Sequence, residues 1–402
     1  MYFNCLNLGF ETFPILTVFI LFYKIVGSFY HNNKVIKYRD EKVLFIFILF
    51  IIAYFFIFFI FLGFSNFFQL VKYLIGPLCY VFFDDFLDDV DYKIVRNVIY
   101  LIFILTLLSI VSFKPLIILL NFFIPRNSFG YGIRGISVLT PEPSYYAFFA
   151  ILFYVFVEYI VMQKKCSKKQ AVILHIVNSC LCLISLSFLC FLILIIFWGN
   201  KFYHHNKFLF IMLIGIGIFG IIFYFSNITN NRIGQVFNSF FRLFSKDIDI
   251  FTFLFYVEPS GSTRIIVNFL AIMNVFQHPF GTGLGTFNNH YKNTAQIFNV
   301  PIGSHEVLQR NADKICYAQT YFCNIFNDIG IFAIIFIVFL MTNNNKFLSI
   351  RFKRLVVIYI LFMTFFQCQI TNPIYWIIIL FIKKRRGNMQ LIEGEICERK
   401  RA

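Results

Sequence analysis

Charge is what this chain has least of. Asp, Glu, Lys and Arg together supply 13% of its 402 residues, whereas 59% are hydrophobic. So little polar surface excludes a soluble globular protein, which could not cover that much apolar side chain. The mean hydropathy of +0.77 agrees with a polytopic membrane protein. Acidic residues are the scarcer sign, 19 against 35 Lys and Arg, which leaves a net charge of +16. In a membrane chain that excess reads as Lys and Arg holding loops on the cytoplasmic side, not as a nucleic-acid surface. The first apolar run lacks a basic start and a small-residue cleavage site, so no cleavable signal peptide is expected. The ten cysteines contain no CxxC pair, which argues against zinc or haem attachment. Most, such as Cys79, Cys180, Cys182, Cys190 and Cys368, lie in apolar runs as small packing residues. Cys316 and Cys323, seven apart in sequence, are considered for a disulfide. Phe, at 61 residues, is abundant, as are Ile, Asn and Lys; this reads as AT-rich coding bias.

What is present is a series of apolar runs of membrane-crossing length, about 20 residues each. Clear runs cover 13–30, 43–62, 66–83, 98–113, 145–162, 208–225 and 318–341. Stretches 171–198 and 355–382 are long for one helix and short for two. Each is flanked by basic residues at both ends: Lys164, Lys165, Lys168 and Lys169 against Lys201 and Lys207, and Arg351, Lys353 and Arg354 against Lys383 to Arg386. Both ends are therefore expected on one side, which a hairpin of two short helices satisfies. The expected turns are Ser185-Leu186-Ser187 and Thr371-Asn372-Pro373, the second supported by its proline.

The expectation is an all-α polytopic fold of about eleven crossings, with residues 1–402 as a single membrane domain. Loops 31–42, 84–97, 163–170, 199–207 and 342–354 fall inside, with the basic tail 383–402. Loops 114–144 and 226–317 fall outside, as does the N-terminus. Residues 115–124 are expected along the outer interface.

Fixed charges in the outer loops are the candidate site, since ionisable groups beside a bilayer are costly and usually functional. Arg134 and Glu142 lie in Arg134-Gly135-Ile136-Ser137-Val138-Leu139-Thr140-Pro141-Glu142-Pro143-Ser144, just before an apolar run. Arg264 lies in the second loop, followed by His278-Pro279-Phe280-Gly281-Thr282-Gly283-Leu284-Gly285. A third element, Asp328-Ile329-Gly330, enters a late helix. Each has a plainer alternative. The arginines can bind lipid headgroups, Pro141 to Ser144 can be helix-start punctuation, and the glycines can form an unliganded turn. Lys24 and Lys72 in apolar runs are expected to snorkel, and Glu158 to face the surface near the inner end of its helix.

Together, and in this order, the three elements resemble the bacterial O-antigen polymerase family, within the group that also holds the O-antigen ligases. The resemblance covers the layout of nearly the whole chain and is sequence-specific over about forty residues. It implies a GT-C-like glycosyltransferase architecture in the bacterial inner membrane. It also implies glycosyl transfer at the periplasmic face between glycans carried on undecaprenyl pyrophosphate, with the bilayer and a chain-length regulator as partners and no cofactor, metal or nucleic acid. Ligases typically carry a His where the chain re-enters the membrane in its last third. Here that region reads Ala318-Gln319-Thr320-Tyr321, which favours polymerase; His290 and His305 lie farther upstream.

That reaction needs cations where the pyrophosphate leaves. Arg134 and Arg264 are expected to supply them through the planar, permanently charged guanidinium, with Arg126 and Arg232 in reserve. Glu142 is the expected base for the acceptor hydroxyl. Gly281, Gly283 and Gly285 would let backbone N–H groups approach an anion, with His278 and His305 as further substrate contacts.

Two other classes compete. Asp84-Asp85-Phe86-Leu87-Asp88-Asp89 could hold Mg²⁺ against a prenyl diphosphate, as in intramembrane prenyltransferases. No second aspartate-rich motif accompanies it, and such a charge run more often marks solvated chain. A transporter of lipid-linked sugars would show half repeats and broken helices; the sequence has no such symmetry.

Overall fold

The computed structural model describes residues 5–8, 11–14, 21–23, 39–62, 67–83, 90–111, 143–185, 187–202, 259–300, 320–341, 348–366 and 370–383, besides a few single positions. Helix dominates. The exception is an antiparallel hairpin of Cys5–Leu8 (β1) and Glu11–Pro14 (β2), which takes in the first residues of the run 13–30. Of the rest of that run only residue 19 and helical residues 21–23 are described, and all of 208–225 lies outside the described residues.

Most of the helices follow the apolar runs; two, at Pro259–Gln277 and Phe287–Ile297, lie within the expected outer loop 226–317. In chain order the helices are Arg39–Leu62 (α1), Phe67–Phe82 (α2), Tyr92–Ile110 (α3), Tyr146–Met162 (α4), Lys168–Ile184 (α5) and Phe188–Phe202 (α6), with a 3₁₀ turn at Pro143–Tyr145 leading into α4. Then come Pro259–Gln277 (α7), Phe287–Ile297 (α8), Tyr321–Ile329 (α9), Ala333–Met341 (α10), Ile350–Phe365 (α11) and Pro373–Lys383 (α12). Side-chain oxygens cap several starts: Asp91 on α3, Ser167 on α5 in a reciprocal capping box with Gln170, Thr320 on α9 and Ser349 on α11.

Both ambiguous stretches break where expected. Ser185 ends α5 by bonding the Cys182 carbonyl at 2.7 Å, and α6 returns antiparallel, so that His175 meets Phe197 at 4.6 Å between rings. Pro373 opens α12, and the Asn372 side chain accepts the Ile374 N–H at 3.0 Å. The Thr364 and Tyr375 hydroxyls bond at 2.7 Å across that second hairpin.

Helix α4 and its 3₁₀ turn form the centre, packed on α3, α5, α6, α11 and α12, and α12 is buried along its whole length. The outer helices differ. α1 exposes Phe45, Ile46, Leu49, Phe56, Ile57 and Ile60, and α3 exposes Ile94, Val98, Leu101, Ile104 and Leu107. Apolar faces of that extent are stable against lipid, not water. Among the described residues, 4 segments are long and apolar enough to cross a membrane: Lys42–Ile60, Tyr92–Ile110, Pro143–Met162 and Tyr321–Met341. Shorter apolar helices accompany them at Phe67–Phe82, Leu189–Phe202, Thr263–Gln277 and Pro373–Lys383.

The last of the four is not straight. The rings of Tyr321 and Phe336 lie 5.3 Å apart, but fifteen residues of straight helix would separate them by about 22 Å. The chain turns sharply at Gly330, whose φ of 59° and ψ of −138° suit glycine alone. Beyond it, α10 runs antiparallel along α1, with Phe332 on Phe50 and Phe336 on Phe47. Before it, α9 crosses from α12, where Tyr321 meets Tyr375 at 4.5 Å, to α1 and α2. The expected single crossing over 318–341 is thus a transverse helix followed by a descending one.

Four of the loops expected to share one side meet at one end of the bundle. Lys165 Nζ donates to the Val90 carbonyl at 3.3 Å. Ser349 Oγ reaches Met162 Sδ at 3.7 Å, and Arg351 donates to the Lys201 carbonyl at 3.0 Å.

Candidate functional site

At the opposite end, α7, α8 and α9 form a cap. α7 runs parallel to α9: the Asn268 side chain accepts the Thr320 N–H at 3.2 Å, and Asn274 Nδ2 donates to Asn327 Oδ1 at 2.7 Å. α8 returns antiparallel to α7, with the Thr294 hydroxyl on Asn274 Oδ1 at 3.2 Å. Ile266, Val267, Leu270 and Ala271 seal this unit against Phe287, Tyr291, Ala295, Ala318 and Cys323. Cys323 is a buried thiol; Cys316, considered with it for a disulfide, lies outside the described residues.

The glycine turn and the Asp328-Ile329-Gly330 element, some forty residues apart in sequence, dock onto each other. Backbone bonds run from Thr282 N–H to the Asn327 carbonyl (3.2 Å), from Gly283 N–H to the Asp328 carbonyl (3.0 Å) and from Ile331 N–H to the Pro279 carbonyl (2.8 Å). A methyl group on Gly281 would overlap the Asp328 carbonyl, and one on Gly330 the Pro279 carbonyl. Glycine is required on both sides of the contact by this close approach.

Asp328, 4% exposed, sits at the centre. Its Oδ2 accepts the Tyr73 hydroxyl and the Gly285 N–H, each at 2.7 Å, and its Oδ1 accepts Asn327 Nδ2 at 2.8 Å. The Tyr54 hydroxyl donates to the Asp328 carbonyl at 2.7 Å, with the Phe280 carbonyl at 3.0 Å. Donors so placed offset much of the cost of burying a carboxylate.

This geometry changes the role expected of the glycines. The Gly281 N–H is bonded to the His278 carbonyl at 2.9 Å, that of Gly283 to the Asp328 carbonyl, and that of Gly285 to the Asp328 carboxylate. None of the three is left for a substrate anion. The anion that the turn approaches closely is the chain's own.

Arg264 stands elsewhere. It belongs to the early turns of α7, not to an irregular loop, and is half-buried. Fourteen residues of helix, about 21 Å, separate it from His278 and the turn. A diphosphate, a few ångströms long, cannot touch both. Asn268, whose side chain accepts the Thr320 N–H at the start of α9, lies one turn beyond Arg264 on the same face of α7. His278 instead pairs with His290, ring centroids 5.1 Å apart. Burial and then the neighbouring His278 depress the His290 pKa below its ordinary value. Arg126, Arg134, Glu142, Arg232 and His305 lie outside the described residues, as do Asp84, Asp85, Asp88 and Asp89.

Two expectations for charged groups inside helices are corrected, the second in part. Lys72 does not snorkel: it is 4% exposed, on the face of α2 that carries Gln69 and Tyr73. Glu158 faces solvent only in part, its side chain 28% exposed; its Oε1 accepts from His175 Nε2 at 2.9 Å and Lys201 Nζ at 3.1 Å, tying α4 to both arms of the α5–α6 hairpin.

The residues that sequence reasoning passed over are Tyr54, Tyr73, Asn274 and Asn327. One signal was available. Thr320, Asn324, Asn327 and Asp328 recur at helical spacing inside an apolar run, which marks a polar stripe facing protein. No protein-family model matches the chain, and no curated protein or solved structure does either.

Proposed function

We propose that the protein polymerises oligosaccharide repeat units carried on undecaprenyl pyrophosphate, by glycosyl transfer at the periplasmic face of a bacterial inner membrane. The observation that supports this reading is the cap. The second and third elements of the resemblance form one hydrogen-bonded unit, and that unit carries Arg264 at the end of the bundle away from the basic loops.

In this reaction an acceptor hydroxyl attacks the anomeric carbon of the donor glycan. The bond from that carbon to the pyrophosphate oxygen breaks, and undecaprenyl pyrophosphate leaves with the electron pair. Arg264, with Arg134, neutralises the charge gathering on the leaving group, while Glu142 takes the hydroxyl proton. A guanidinium fork pairs two phosphate oxygens at once, which an ammonium cannot do. Arg264→Lys is therefore expected to abolish long chains while single repeat units still reach the lipid core. A normal chain-length ladder from a well-expressed Arg264→Lys protein removes Arg264 from the site.

The deciding experiment incubates purified protein with synthetic lipid-linked repeat units. A ladder formed without added metal or nucleotide is the expected result. Failure to extend them, or Mg²⁺-dependent transfer of a prenyl group instead, overturns the proposal.

A further inference from the structure

Five buried polar side chains, drawn from four helices, form an unbroken line of hydrogen bonds through the cap. The Tyr73 hydroxyl of α2 donates to Asp328 Oδ2, and Asp328 Oδ1 accepts from Asn327 Nδ2 within α9. Asn327 Oδ1 accepts from Asn274 Nδ2 of α7, whose Oδ1 accepts the Thr294 hydroxyl of α8. None of the five is more than 4% exposed.

Apart from the Asn268 side chain accepting the Thr320 N–H at the start of α9, the rest of the α7–α9 contact is apolar and non-directional. Ile266, Val267, Leu270 and Ala271 could meet Ala318 and Cys323 in more than one register, because sliding a helix by a turn of about 5.4 Å presents a similar apolar face. The polar line cannot slide. A shift of one turn would strand Asn274 and Asn327 in the core without partners, at a cost that apolar contact does not return. Buried polar groups that fix helix register are the best-attested use of such networks. Arg264 is joined to Asn274 by ten residues of helix, so the register of Asn274 fixes where Arg264 stands.

We infer that the line Tyr73–Asp328–Asn327–Asn274–Thr294 sets the register of α7 against α9, and that Asp328 is thereby a positioning residue for Arg264. The inference rests on the proposed role of Arg264 in holding the leaving diphosphate. Aspartate suits the centre because both of its oxygens accept. Asparagine has one accepting oxygen and would set an NH₂ group against the Tyr73 hydroxyl and Gly285 N–H, or against Asn327.

The test uses the full-length protein with Asp328→Asn, and with Tyr73→Phe as a milder variant that removes a single donor. Single cysteines placed at Val267, Leu270 and Ala271 are oxidised against native Cys323, and the position giving most crosslink reports the register. The expected result is one preferred position in the parent, a redistribution in Asp328→Asn, and a smaller one in Tyr73→Phe. In polymerisation assays Asp328→Asn should lower kcat about tenfold or more with little change in donor KM. In an Arg264→Lys background, measured on whatever residual activity remains, it should lower kcat by less than about twofold, because the fork it positions is already gone; independent sites this far apart would instead lose activity multiplicatively. An unchanged crosslink pattern, or activity losses that simply multiply, overturns the inference. A fully active Arg264→Lys protein would instead sink the role of Arg264, and the positioning claim with it, while the crosslinks still report the register.

Discussion

Replacing Gly330 by Ala should loosen the cap more than any change to its exposed surface. The residue sits at φ 59°, ψ −138°, a conformation that costs an L-residue roughly 1–3 kcal/mol. The added methyl would also overlap the Pro279 carbonyl and the Gly281 nitrogen. To relieve this, the glycine turn must move away from α9, breaking the 2.8 Å bond from Ile331 N–H to the Pro279 carbonyl, a loss of about 1 kcal/mol. The total comes to about 3 kcal/mol, or roughly a hundredfold in the folded-to-unfolded ratio. The assay is denaturant titration of purified protein in detergent micelles, followed by helical circular dichroism. Ile334→Ala serves as the control, since that side chain is exposed on α10 and should change stability by about 0.5 kcal/mol or less. If Gly330→Ala falls within about 0.5 kcal/mol of the parent, the turn does not press on Gly330, and the account of the cap is wrong.

Three further outcomes are expected. Glu158→Ala leaves His175 and Lys201 without their shared acceptor and should destabilise the bundle by about 3 kcal/mol, with Glu158→Gln milder; equal stabilities in the same titration would show that the pair holds nothing. The depressed pKa of His290 means that the unfolded chain takes up its proton first as pH falls. Its stabilising effect should therefore be whole above pH about 6.5 and decline as pH drops below that, toward the lower folded value. Comparing unfolding between pH 5 and 7.5, His290→Asn should remove this part of the pH dependence, and an unchanged profile would refute it. Reporter fusions after residues 126 and 290 should report the periplasm and one after 166 the cytoplasm; a cytoplasmic signal at 290 would overturn the α5–α6 hairpin as a double crossing.

Much of the architecture was legible in the sequence because it depends on local physics. The length of an apolar run and the charges at its ends decide whether a helix forms and whether a long stretch must fold back. Pro373 and Ser185 therefore mark their turns with no knowledge of the rest of the chain. Even Gly281, Gly283, Gly285 and Gly330 announce backbone that other residues adopt poorly. Their partners were a different matter. That the glycine turn closes on Asp328, that Tyr54 and Tyr73 reach it from two apolar helices, and that Lys72 stays buried depend on which segments lie side by side. Segments forty to three hundred residues apart meet only once the helices have packed.

The sequence by itself determined a helical, lipid-compatible chain with paired short helices and polar breaks, since hydrophobic length and backbone preference act residue by residue. Only the tertiary structure decided that Arg264 rides a helix about 21 Å from the glycines once grouped with it, and that the glycine turn closes on Asp328, with Gly285 N–H on its carboxylate. The reason is that hydrogen bonds between distant segments are specified by packing geometry, which no local pattern encodes.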